Sequence, residues 1–154
     1  MHLWSYMRLL QESEEELAEA LAVLAEYHER EPDIRATATL LAGWSRQHVQ
    51  VLSALGERYK LGECLEHRFE TGAQQLFHGP RERRHGLLCD LHETWLLNQR
   101  VLLGWTVLEQ AARALCHRDL VAICARMGSE SDRQLGWLRA RIIEVAPQVL
   151  IASA

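Results

Sequence analysis

His48 is the residue in this chain whose type and setting most invite chemistry. It sits among Leu41, Trp44, Val51, Leu52 and Leu55, which recur at three- and four-residue steps. That spacing places one face of an α-helix in an apolar interior. An imidazole there needs a polar partner. Glu14 and Glu15, earlier in the chain, and Glu93, later in it, are the carboxylates that could reach it. An imidazole and carboxylates converging between helices could bind iron, manganese or zinc. A buried histidine hydrogen-bonded to one neighbouring acid would satisfy the same groups without metal, and both readings stay open at this point.

Two further pairs have metal-ligand spacing. Cys64 and His67, and Cys89 and His92, each form a C-x-x-H pair. Residues three apart on a helix can supply two of the four N/S ligands that zinc takes. The pairs would form one site if the helices carrying them packed side by side; otherwise Cys64 and Cys89 are small core residues. Leu96 and Leu97 stand where a His-Glu-x-x-His motif starting at His92 would need its second histidine. The chain has no glycine-rich phosphate loop, no G-x-S-x-G and no spacing that suggests a nucleophilic triad. Nothing here names a catalytic residue.

The elements that would position these groups are helices. Residues 5–30 carry Leu10, Leu17, Leu21, Leu24 and His28 on one stripe, with Glu12, Glu14, Glu15, Glu16 and Glu19 on the other face. Pro32-Asp33 is expected to form a turn, since proline lacks the N–H that would continue a helix. A second helix is expected over 34–59 and a short one over roughly 63–77. Gly79-Pro80-Arg81-Glu82-Arg83-Arg84-His85-Gly86 has the composition of an exposed linker. The third helix is expected over 87–116, with Leu88, Leu91, Trp95, Asn98, Leu102, Trp105, Leu108, Ala112 and Leu115 inward. The fourth is expected over 119–145, with Leu120, Cys124, Met127, Ser131, Leu135, Leu138 and Ile142 inward and Pro147 closing it.

Composition agrees with this reading. Within 154 residues there are only nine Gly and three Pro, and 48% of the residues are hydrophobic. That is enough chain for a single domain with its own core. The net charge of −4 argues against a broad nucleic-acid surface, which needs a basic face. No run approaches the ~20 apolar residues of a membrane span. The first residues lack the charged start and apolar run of an export signal, so the expected location is cytoplasmic, with the four cysteines as thiols.

A repeat links the two halves. Shifting the first half by 86 positions lays Asp33 on Asp119, Ala38 on Cys124, Leu41 on Met127, Ser45 on Ser131, His48 on Gln134 and Leu52 on Leu138. Each half then reads as a helical hairpin (5–59 and 87–146), joined by a crossover helix and linker over 60–86. One hairpin cannot hide its apolar stripe, but two packed together can, as a four-helix bundle.

The stretches SRQHVQVLSALGERYKLGECLEHRFETGAQQLF (45–77) and DLVAICARMGSESDRQLGWLRARI (119–142) resemble the ferritin-like superfamily. The likeness is nearest to its bacterial stress-associated, two-hairpin family of uncharacterised function. That resemblance implies an all-α, ferritin-like four-helix bundle with a crossover helix. It also implies a di-iron centre built from one Glu on a helix of each hairpin and a Glu-x-x-His on the other. Glu14 or Glu15 and His48 match parts of that pattern. Ser45 stands where the glutamate before His48 belongs, and Met127, Ser131 and Gln134 fill the matching places of the last helix. No acid lies near Gln99-Arg100-Val101, with Glu93 two turns earlier. The expectation is therefore a non-enzymatic bundle that has lost its metal centre and acts in stress or partner binding. The alternative is a metal-binding protein or oxidase with an atypical site at Glu14, Glu15, His48 and Glu93. A homodimer is expected, with Trp4, Tyr6, Trp137 and Val149-Leu150-Ile151 as interface candidates.

Overall fold

The computed structural model describes residues 3–60 and 86–151. These form four long helices: α1 (Leu3–Tyr27), α2 (Pro32–Lys60), α3 (Leu87–Ala114) and α4 (Arg118–Ile151). No strand occurs among the described residues, and no helix among them is long and apolar enough to cross a membrane. The expected crossover helix, the basic linker, Cys64 and His67 lie outside the described residues.

Most stripe positions expected from the sequence are buried, but on α3 and α4 Leu88, Trp95, Leu102, Leu135 and Ile142 are only partly so, and Val101, outside the expected stripe, is buried. Leu10, Leu17, Leu21 and Leu24 of α1 pack with Leu41, Leu52 and Leu55 of α2 in the core. They meet Leu91, Val101, Trp105 and Leu108 of α3 and Leu120, Met127 and Leu138 of α4. Each such leucine removed from water contributes about 1.5–3 kcal/mol, which is what holds four otherwise marginal helices together.

Side-chain pairs give the helix directions. Glu14 meets His48, so α1 and α2 are antiparallel hairpin partners. His28 meets Asp90 at one end, and Trp105 meets Glu14 farther along, so α1 and α3 are also antiparallel. Tyr59 meets His117, and Gln134 meets Leu41, which sets α2 against α4 in the same sense. It follows that α2 and α3 run parallel. The last turn of α2 lies beside the α3–α4 turn, whereas α3 begins beside the α1–α2 turn.

Three local expectations are corrected. Pro32 is the first residue of α2 rather than part of the turn, which occupies residues 28–31. A first-turn proline gives up an N–H that has no helical acceptor anyway. Pro147 does not end α4, which continues through it to Ile151. The carbonyl that Pro147 leaves without a partner belongs to Ile143, which is exposed, so water can satisfy it. Leu115, expected inward, is exposed because α3 ends just before it. Cys116 then takes φ 57°, and its N–H bonds to Arg113 O while that of His117 bonds to Ala112 O. This is a Schellman ending with cysteine in the left-handed position usually held by glycine.

Candidate functional site

Midway along the bundle the apolar core gives way to a polar layer. Glu14 follows Leu10 by four residues and precedes Leu17 by three, so it shares their stripe rather than the acidic face and is fully buried. His48 occupies the equivalent place on α2, between Leu41 and Leu52, and is also fully buried. The two meet directly: His48 Nδ1 donates to Glu14 Oε1 at 2.7 Å. The same oxygen accepts Trp105 Nε1–H from α3, also at 2.7 Å. The imidazole packs edge-on against the Trp105 ring, with centroids 5.7 Å apart.

The other imidazole nitrogen reaches α4. His48 Nε2 donates to Glu130 Oε2 at 2.9 Å, and the Glu130 side chain is 20% exposed. Burial by itself opposes a charged imidazole. The hydrogen bonds and charges of Glu14 and Glu130 outweigh it, and the His48 pKa is raised. Two carboxylates thus hold one imidazole ring at both nitrogens, an arrangement that favours its protonated form, and the clamp ties α1, α2 and α4 together with Trp105 of α3.

The layer continues one turn along. Gln134 Nε2 donates to Leu41 O at 3.0 Å and to Ser45 Oγ at 3.1 Å. Asn98 on α3 and Ser131 on α4 are fully buried in the same interior.

Of the candidate ligands, the structure brings Glu14 to His48 and leaves the other two apart. Glu15 points to solvent, where it accepts from Gln11 Nε2 at 3.0 Å. Glu93 is exposed on the outside of α3. One residue on from it each time, α1 turns Glu16 to Arg100 and α3 turns Thr94 inward. Among the described residues, no group of three or more His, Cys, Asp and Glu side chains is arranged to hold a metal. Cys89 and His92 are both exposed, so Cys89 is not the small core residue that was the alternative to zinc. Cys124 is the buried thiol, and burial pushes its pKa up to about 12, which keeps it protonated and unreactive.

Two partners of His48 were not legible beforehand. Glu130 lies at the edge of the α4 stripe, three residues after Met127 and beside Ser131. Trp105 was expected inward, but not its bond to Glu14. A cleft of about 590 Å³ lies elsewhere, at the α1–α2 turn, lined by residues 26–31 and Leu87. Of the interface candidates, Tyr6 and Trp137 are partly buried against the core. Trp4 is half-buried with Arg8 over its ring. Val149, Leu150 and Ile151 are exposed. No protein-family model, characterised protein or solved structure matches the chain.

Proposed function

We propose that this chain is a ferritin-like bundle in which an ion-paired histidine takes the place of a metal centre. On this reading it works as a non-enzymatic homodimer whose helical surfaces engage a partner. The observation that carries the reading is the double engagement of His48: each ring nitrogen lies within hydrogen-bond distance of a carboxylate oxygen, which favours the imidazolium. A metal would need a nitrogen lone pair, and an imidazolium has none to offer. The positive charge that a metal would supply between Glu14 and Glu130 is supplied by the ring. The parallel run of α2 and α3 supports the ferritin-like part, because bundles of that kind contain one long crossover.

The test is elemental analysis of untagged protein for iron, manganese and zinc, before and after reconstitution with ferrous iron. The expected result is no stoichiometric metal in either sample. A full equivalent that disappears in a His48→Ala variant would overturn the reading in favour of a metal protein. The homodimer is tested separately by light scattering, where a monomeric mass at high concentration refutes it.

A further inference from the structure

The ion pair does not use up the polar layer. Asn98 Nδ2, Asn98 Oδ1, Ser131 Oγ and Gln134 Oε1 are all buried, and no protein group bonds them. All three side chains are fully buried. Leaving such groups unbonded in an apolar interior forfeits their hydration with nothing in return, so a partner is required.

Helix register brings Asn98 and Gln134 to one level, with Ser131 one turn along. The Cβ of Trp105 lies 3.7 Å from where a Cβ on Gly128 would sit, which fixes α3 against α4. Asn98 is two turns back from Trp105. Two turns on from Gly128 along antiparallel α4 is the level of Gln134, with Ser131 one turn away. Gln134 spends its Nε2 on α2 through Leu41 O and Ser45 Oγ. Its carbonyl corner is therefore free for the α3 side.

The chemistry of the set selects the ligand. Asn98 offers donors and an acceptor, Ser131 one of each, and Gln134 an acceptor. A cation would suit the carbonyl oxygens but would leave the Asn98 NH2 facing positive charge. An anion would suit the NH2 and repel the carbonyls. A molecule that both donates and accepts can serve Asn98 Nδ2, Ser131 Oγ and Gln134 Oε1 together, and the smallest is water, which commonly makes about three such bonds inside proteins.

We propose that the level of Asn98, Ser131 and Gln134 is an internal water site bridging α3 and α4. The water accepts from Asn98 Nδ2, donates to Gln134 Oε1 and takes Ser131 Oγ as its third partner. The site locks helix register. Sliding one leucine layer past another merely repacks leucines, whereas sliding this level breaks its hydrogen bonds together.

The test is water-selective NMR on the full chain, reading transfer from water to the Asn98 side-chain amide protons. The expected result is an Asn98–water cross-peak with the opposite nuclear and rotating-frame signs of a long-lived bound water. Absence of that peak would overturn the proposal and assign Asn98 a direct bond to Ser131 or Gln134. In a crystal structure of the wild type, the expected finding is a solvent oxygen about 2.7–3.2 Å from both Asn98 Nδ2 and Gln134 Oε1. A direct Asn98–Gln134 bond there would equally overturn it.

Discussion

Replacing His48 with leucine should be among the most damaging single changes in the core. Leucine fills a comparable volume, so the loss is electrostatic rather than a cavity. Glu130 is 20% exposed on its side chain and can return to water. Glu14 cannot: it is fully buried, and with His48 gone its remaining partner is Trp105 Nε1–H. Stranding one member of a buried ion pair costs about 3–5 kcal/mol. Domains of this size have about 5–15 kcal/mol of total stability, so His48→Leu takes a large part of it. The companion variant Glu14→Leu/His48→Leu removes both charges. It leaves Trp105 Nε1–H without an acceptor, at about 1–3 kcal/mol, but strands no ion. The double variant should therefore be more stable than His48→Leu alone, with a coupling of at least about 1 kcal/mol. Urea unfolding followed by far-UV circular dichroism at pH 7 gives each value by linear extrapolation. If His48→Leu costs less than about 1 kcal/mol, or the double variant loses the sum of the two single losses, then the pair is not a buried, coupled ion pair and the reasoning fails.

Three other outcomes follow from particular contacts. Because the His48 pKa is raised in the fold, its ionic contribution is complete below the unfolded value of about 6.5 and is lost as pH rises through the folded value. Wild-type stability relative to Glu14→Leu/His48→Leu should thus decline from neutral to alkaline pH in parallel urea titrations, and a flat difference would contradict the charged imidazole. A Cβ on Gly104 would lie 2.5 Å from Leu10 Cδ1. Overpacking against Leu10 should therefore cancel the roughly 1 kcal/mol that alanine gains over glycine inside a helix, so Gly104→Ala should fail to stabilise the protein, and a clear rise in melting temperature would show that Leu10 moves aside freely. Cys116→Gly should stabilise by about 1 kcal/mol, because the left-handed φ of 57° penalises a side chain there. A melting temperature unchanged or lowered would show that Cys116 makes a compensating contact.

The architecture was readable because it depends on repeated spacing. Leu10, Leu17, Leu21 and Leu24 on α1, and Leu41, Leu52 and Leu55 on α2, are buried as their three- and four-residue steps require. Proline is where pattern and fold part. Pro32 and Pro147 both read as breaks in the sequence, yet one opens α2 and the other sits inside α4. The ring's cost depends on whether the carbonyl four residues earlier has another partner, and that depends on exposure. A one-dimensional pattern shows the residue but not the solvent beside it. The same limit applies to Leu115, whose place on the stripe counts only while α3 lasts.

The site was half legible for a different reason. Periodicity says which face of a helix is buried, and so it brought out His48. It does not say how two faces are turned toward each other. Glu130 stands about 80° from the centre of the α4 stripe at 100° per residue, a position that in most helices is solvent. In this bundle that edge of α4 faces His48. The rotation decides the chemistry, because Glu14 holds Nδ1 under either reading, as a hydrogen-bond partner behind a metal-bound ring or as one half of an ion pair. The alternatives separate at Nε2, the nitrogen a metal would take. A carboxylate of α4 occupies it, from a helix where the 86-residue repeat places Trp44 opposite Glu130 and Gln134 opposite His48. The α1–α2 pair and the α3–α4 pair thus differ in the charge they bring to this layer. Hairpin one brings the imidazole and one acid, hairpin two brings the second acid, and the layer is complete only when both are docked.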